Sequence, residues 1–326
     1  MLKTRLTTRF NLRHPIVSAP MALAAGGALA GAVSAAGGLG LIAGGYADKA
    51  QDDWLDDQFL AAGNQKVGCG FITWSLGNNP DALTRALAHR PAALFLSFGD
   101  ALPYREAIEA ADVPLFMQVQ SIADARAALA CGACAIVAQG AEAGGHGDKR
   151  ATMTLVPEVV DLVAQHAPET LVLAAGGIAD GRGIAAALAL GADGVVIGSR
   201  FWASEEALVH PAQRARAVAA TGDETVRTTV FDKVRRRAWP ERFTIRVMRN
   251  AYLEGWQGRE AALDDAIEEE AARFAQAWGD GDTTVASAVV GEATGLIDAV
   301  EPAGVILARI SAEAEAEIAR LHTLRA

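Results

Sequence analysis

Along the first two-thirds of the chain, short uninterrupted apolar runs alternate with longer segments of mixed polarity. The runs at Ile16–Ala19, Leu39–Gly44, Val67–Ile72, Ala93–Phe98, Leu115–Val119, Ala135–Gln139, Leu171–Ala175 and Gly194–Gly198 predict eight strands. Unbroken apolar runs, as opposed to strict alternation, suit parallel strands covered on both faces. Seven steps separate Ile16 from Gly194, a spacing of about 25 residues each, enough for one strand, two loops and one helix. Helix starts are marked as well: Ser121 stands three residues before Asp124, and Asp180 precedes the run from Ile184 to Leu190. This pattern predicts an α/β fold of the (β/α)8 TIM barrel type. An open doubly wound sheet uses the same alternation, but eight units exceed what most open sheets carry, and no G-x-G-x-x-G follows the first strand.

After Glu206 the texture changes. Leu263, Ile267, Ala271, Phe274 and Trp278 form one helical stripe within 259–278, and Ile306, Ile310, Ala314, Ile318 and Leu321 form another near the C-terminus. With no convincing strand-like run among them, residues 207–326 are expected to be an appended C-terminal helical region. It would pack on or over the mouth of a barrel formed by residues 1–206.

Composition narrows the class without changing the fold. Apolar residues make up 51% of the 326 and charged residues 21%, as in a globular protein. The net charge of −10 argues against nucleic-acid binding, which depends on neutralising phosphates. Lys3, Arg5, Arg9 and Arg13 precede an uncharged stretch from Pro15 to Ala47 that loosely resembles a signal peptide or a membrane span. Its many glycines and two prolines oppose a long helix, so it reads as buried core, with no membrane attachment and a cytoplasmic location expected. Three cysteines, Cys69, Cys131 and Cys134, are too few for a disulfide framework or a four-ligand zinc site. The Cys131–Cys134 pair falls at the end of a helix leading into a strand, away from the catalytic face of a barrel, and is read as structural.

The catalytic face lies at the strand ends. Strands seven and eight end in Ala174-Ala175-Gly176-Gly177-Ile178-Ala179-Asp180-Gly181 and Gly198-Ser199-Arg200. Paired glycine-rich turns at helix starts let a phosphate approach backbone N–H groups. A lone Gly-Gly would be no more than a tight turn; two on adjacent units favour a phosphate-bearing ligand without naming a reaction. Strand six ends in Gln139-Gly140-Ala141-Glu142-Ala143-Gly144-Gly145-His146-Gly147, and the step that follows is the longest of the set. An imidazole on such a loop over the barrel mouth is placed to act as a general base, whereas His89, His166, His210 and His322 read as surface residues and His14 precedes the first strand. No histidine spacing suits a metal, no G-x-S-x-G motif is present, and Glu142 lacks a second carboxylate at its strand end. Lys233, Arg235, Arg236 and Arg237 form a basic cluster beside Trp239-Pro240. It reads as a solvated turn or, less simply, as a wall that steers an anionic substrate.

Taken in order, Ala19-Pro20-Met21, the Ala36–Gly40 turn, Gln139-Gly-x-Glu-Ala-Gly-Gly-His146, Ala174–Gly181 and Gly198-Ser-Arg-Phe201 resemble the nitronate monooxygenase family, formerly called 2-nitropropane dioxygenases. The resemblance runs from about residue 10 to 206, and more loosely through Trp239-Pro240, Arg246, Asn250 and Gly291-Glu292. It implies FMN as cofactor, with Gly176, Gly177, Gly198 and Ser199 at its phosphate. Ala19, Pro20, Met21 and Ala22 would lie along the isoalloxazine ring, with Gly70, Gln118, Gln139, Ala143 and Gly144 also at the cofactor. His146 would be catalytic, as the base that takes the α-proton of a neutral nitroalkane. The implied reaction oxidises an alkyl nitronate with O2 to a carbonyl compound and nitrite. Two positions depart from the family: Gln118 stands where some relatives have lysine, and Ser199 where threonine is usual. Two alternatives stay open, an NAD(P)H-dependent FMN reductase on the same barrel (a quinone reductase or an enoyl-acyl-carrier-protein reductase) and a nucleotide-binding barrel without turnover.

Overall fold

A computed structural model describes residues 1–49 and 52–324. Eleven strands are present among them: β1 (Ile16–Ser18), β2 (Leu41–Gly45), β3 (Gly68–Ile72), β4 (Leu94–Ser97), β5 (Leu115–Val119), β6 (Ala135–Gln139), β7 (Gly145–Gly147), β8 (Leu171–Ala175), β9 (Gly194–Ile197), β10 (Thr225–Thr228) and β11 (Thr244–Met248). Eight of them form one all-parallel sheet in the order β1-β9-β8-β6-β5-β4-β3-β2. The Val17–Leu39 bridge and the Ser18 N–H bond to the Leu39 carbonyl (3.0 Å) join the two edges. The result is the expected (β/α)8 barrel.

Two apolar layers explain why the runs are unbroken. Val17, Leu41, Phe95, Phe116, Val137, Leu173 and Val196 fill the barrel interior. The alternate residues, such as Ile16, Ile42, Leu96, Ile136, Val172 and Val195, face the surrounding helices. The helix Arg5–Phe10 plugs the bottom of the barrel: Leu6 is fully buried against the interior cluster, and Phe10 meets Phe116 edge-on at 5.2 Å. Capping follows the sequence signals, with Ser121 accepting from the Asp124 N–H and Asp180 from the Gly183 N–H. Cys131 and Cys134 are free thiols, and burial pushes the Cys134 pKa up to about 11, so neither is an activated nucleophile.

The region after Glu206 differs from a purely helical addition. β10 and β11 pair antiparallel, and β11 pairs with β7 inside the glycine-rich loop, giving a three-stranded sheet that contributes Gly145, His146 and Ile245 to the lining of the cavity at the strand ends. Its apolar layer of Phe231, Ile245, Val247, Leu253, Leu263 and Phe274 is a separate core. The stripe over 259–278 is split at Ala266 into the helices Glu260–Asp265 and Ile267–Asp280, the second ending at Gly281 in the left-handed conformation. The final helix, Ala303–His322, packs between the helices Gly181–Ala189 and Gly27–Ala35, in the ring position that belongs to the eighth barrel unit. Ile306, Ile310 and Ala314 are buried there, while Ile318 and Leu321 reach past the barrel into solvent. Arg200, 1% exposed, ties this return together through Glu301 Oε2 at 2.7 Å and the Ala299 carbonyl at 2.8 Å.

Candidate active site

A deep cavity opens at the C-terminal ends of the strands, with a volume of about 210 Å³. Ala19, Pro20, Met21 and Ala22, leaving β1, form one wall, and Gln118 and Gln139 reach in from β5 and β6. Ala143, Gly144, Gly176, Gly198 and Ser199 also line it. Two glycines of the expected set do not. Gly70 lies beneath Pro20, where an added Cβ would sit 2.4 Å from Pro20 Cγ, so its bareness serves packing of the β1 turn. Gly177 backs onto Glu142.

Gly176 and Gly177 have φ of +100° and +73°, a backbone that side chains disfavour. A Cβ on Gly176 would lie 2.9 Å from the Gly140 carbonyl and 3.0 Å from Thr152 Oγ1. Glu142 braces this corner from outside, accepting from the Thr152 N–H (3.0 Å) and hydroxyl (2.9 Å). The sequence suggests that the helix after β8 offers its N-terminus to a phosphate; the structure corrects this. The Gly181 N–H donates to Glu313 and the Gly183 N–H to Asp180, so two of the N–H groups at that helix end are already taken by carboxylates. The helix after β9, Ser199–Trp202, is a single turn. A phosphate at this corner would have the Gly176 and Gly198–Ser199 backbone and the Ser199 hydroxyl to bind it. That hydroxyl accepts from the Gly291 N–H at 2.9 Å and keeps its own proton to donate.

Gln139 Oε1 accepts from both Gln118 Nε2 (3.1 Å) and Gln120 Nε2 (2.9 Å). The pair fixes the Gln139 amide, whose NH2 remains a donor, and leaves the Gln118 carbonyl as an acceptor. Neither side chain is charged, so no lysine-like cation stands at this wall.

His146 belongs to β7 and is 8% exposed, not a solvated loop residue. Its Nε2 lies 2.8 Å from Asp232 Oδ1, and its ring stacks on Trp239 with centroids 3.4 Å apart and planes at 9°. β11 holds the strand in place, with Ile245 opposite His146. Arg227 and Arg246, on adjacent strands, both donate to the Ala141 carbonyl and so pin the glycine-rich loop from behind. Burial lowers the imidazole pKa below the usual histidine value. The hydrogen bond and charge of Asp232 pull it up, and Arg235 and Arg227 lower it again. The net direction is downward, so the ring is neutral near pH 7. With Nε2–H donated to the carboxylate, Nδ1 carries the free lone pair and has no hydrogen-bond partner among the described residues. The pair can accept a proton at Nδ1 and stabilise the imidazolium through Asp232.

Asp232 was not singled out from the sequence, since it lies 86 residues from His146. A signal was present: one acid between Phe231 and Val234 at the head of a basic cluster, on a helix (Val230–Val234) too apolar to leave it solvated. Trp239 joins Tyr46, Trp74, Phe98 and Phe243 in an aromatic group around the imidazole, and its Nε1 donates to the Tyr46 hydroxyl at 3.0 Å. Of the remaining histidines, His14 bonds Ser311, His89 stacks on Phe59 beside Asp56, and His210 is exposed and contributes to the cavity lining. Among the described residues no cluster suits a metal ion, and no helix is long and apolar enough to cross a membrane.

Comparison with known proteins places this barrel and its cavity among the flavin-dependent oxidoreductases. Residues 3–61 and 76–313 match the family model of nitronate monooxygenase, and the chain belongs to that family. It is 34% identical to a nitronate monooxygenase of Neurospora crassa, over 99% of this chain and 95% of that protein. Among solved structures it is similar to FabK from Thermotoga maritima, with a TM-score of 0.85 and 32% identity, covering 99% of this chain and 100% of that one. It is also similar to a nitroalkane oxidase from Streptomyces ansochromogenes, with a TM-score of 0.78 and 25% identity over 96% and 99% of the two chains.

Proposed function

We propose that this chain is an FMN-dependent nitronate monooxygenase that converts alkyl nitronates with O2 to carbonyl compounds and nitrite, and that also accepts neutral nitroalkanes. The observation that carries the reading is the buried His146–Asp232 pair, which leaves an unprotonated Nδ1 in a cavity beside the cofactor wall.

The residues present fit FMN. The bare Gly198, where an added Cβ would meet nothing closer than 3.7 Å, leaves room for a phosphate, with the Ser199 hydroxyl as donor, and Gly176 allows the strand end to close against Gly140. Ala19–Ala22 offer an apolar wall for the ring, while Gln118 and Gln139 supply an acceptor and a donor for its polar edge. Ala143 and Gly144 close the side under His146. Gly70 and Gly177 would support the site from behind. FMN, when bound, supplies the electron acceptance and the reaction with oxygen. The protein supplies the rest. The aromatic group excludes water from the alkyl part, and His146 Nδ1 removes the acidic α-proton of a neutral nitroalkane. Asp232 orients the ring and pairs with the imidazolium that forms. A nitronate arrives already deprotonated and needs only binding and orientation.

The test is aerobic turnover by the FMN-reconstituted protein on nitroethane and on ethyl nitronate, with nitrite and acetaldehyde measured together. Stoichiometric release of both supports the proposal; flavin that stays bound with no nitrite from either substrate refutes it. The second reading is an NAD(P)H-driven reductase in the same cavity, and the likeness to FabK over nearly the whole chain is the observation on its side.

A further inference from the structure

Of the four cations between residues 233 and 237, three are paired. Lys233 Nζ lies 2.7 Å from both Asp264 oxygens, Arg236 lies 2.5 Å from Glu268, and Arg237 grips Asp48 with two bonds of 3.0 and 2.7 Å. The Arg235 guanidinium has no carboxylate and no hydrogen-bond acceptor among the described residues. It is half-buried and lines the cavity with Tyr46, His146 and Trp239, its Cζ 5.8 Å from the centre of the Tyr46 ring. The acid three residues before it, Asp232, is buried and turned to His146. Arg235 is close enough to His146 to help depress the imidazole. A guanidinium against aromatic walls loses hydration, and a well-formed cavity that leaves it without a counter-charge is complementary to an anion brought by a ligand.

We infer that Arg235 is the anion-binding residue of the substrate site: it receives a planar oxyanion group of the substrate while Tyr46, Trp239, Phe98 and Ile72 pack the alkyl part. The inference deepens the proposed function and rests on it for the identity of the reacting anion. A guanidinium presents two parallel N–H donors, which match the two oxygens of a nitronate or of a carboxylate on the substrate tail. The substrate class is therefore a small alkyl oxyanion, and the uncharged nitroalkane is the weaker ligand.

The experiment uses FMN-loaded protein, so that the phosphate cradle is already filled, and no turnover. Nitrate, an inert planar oxyanion, is titrated against the flavin absorption spectrum, and butyrate is titrated separately. Wild type is expected to give a saturable spectral change. Arg235→Met should weaken binding at least about 10-fold, the loss of one charge-assisted contact, and Arg235→Lys should fall between, with flavin content unchanged in both. Nitrate binding that depends on Arg235 assigns the nitro-type end of the substrate to it, and butyrate binding without nitrate binding assigns a tail carboxylate. Wild type that binds neither anion, or an Arg235→Met protein that binds as tightly as wild type, overturns the inference. Because no turnover is needed, nitrate binding at Arg235 in a protein that does not oxidise nitronates would remove the functional reading and leave this one standing.

Discussion

Replacing Asp232 with asparagine separates proton abstraction from the rest of the reaction. The substitution keeps the shape of the buried group and removes its charge. The bond at stake is a 2.8 Å contact from Nε2 to Oδ1, at a position where both side chains are less than 10% exposed. A hydrogen bond to a charged group is worth about 1.5–3 kcal/mol, and that stabilisation is largest once the imidazole has become imidazolium. At about 1.4 kcal/mol per decade, kcat/KM for nitroethane should fall roughly 10- to 150-fold in Asp232→Asn. His146→Ala sets the floor, with a loss of about 10²- to 10⁴-fold expected for a missing general base. Ethyl nitronate needs no base, so its kcat/KM should fall less than about 3-fold in Asp232→Asn, on the same base-free route. The assay is nitrite release, with nitronate prepared in alkali and diluted into buffer immediately before use. The pH profile gives an independent sign. His146 must be unprotonated to act, so activity on nitroethane rises with pH through its pKa, which burial holds below the ordinary histidine value. Asp232 raises that pKa, so its removal should move the acid limb to lower pH while lowering the plateau. Equal losses on both substrates, or an acid limb that moves to higher pH, would refute the assignment of His146 as a base tuned by Asp232.

Two further substitutions test the frame around the site. Gly176→Ala places a Cβ 2.9 Å from the Gly140 carbonyl at a φ of +100°, a strain of about 1–3 kcal/mol; flavin retained through gel filtration should drop, and undiminished FMN content at an unchanged Tm would contradict the cradle. Glu301→Gln leaves the Arg200 guanidinium, 1% exposed, without its counter-charge, at a cost of about 3 kcal/mol; urea unfolding should show the loss, and a midpoint equal to wild type would mean that the Arg200–Glu301 pair does not hold the final helix in the barrel ring.

How far the fold was legible follows from which elements bury both faces. β5, β6 and β8 have the expected bounds, because Leu115–Val119, Ala135–Gln139 and Leu171–Ala175 are covered inside and out and so read as solid apolar runs. The ends of β1, β2, β3, β4 and β9 shift by one or two residues where the apolar run continues into a loop. β7, β10 and β11 were not legible. Gly145-His146-Gly147 has no apolar signature, and β10 and β11 each place an arginine, Arg227 and Arg246, opposite one another, a pairing that makes sense only once both reach the Ala141 carbonyl. The candidate site was legible where the chain itself carries the glycines and His146. Beyond Glu206 it was legible only as a basic cluster beside Trp239 that could steer an anionic substrate, and Asp232 was not legible at all. Asp232, Arg235 and Trp239 are brought to His146 by the three-stranded sheet, and nothing in local periodicity reports that return.

The central claim is that this cavity oxidises nitronates and is not fed by a pyridine nucleotide. It is tested most directly by anaerobic visible spectroscopy of the FMN-loaded protein, mixed in turn with ethyl nitronate and with NADH or NADPH. The account predicts bleaching of the flavin band by the nitronate within the turnover time and none by either nucleotide. Rapid bleaching by NADH or NADPH, with the nitronate inert, would contradict it and assign the chain to a reductase on the same barrel.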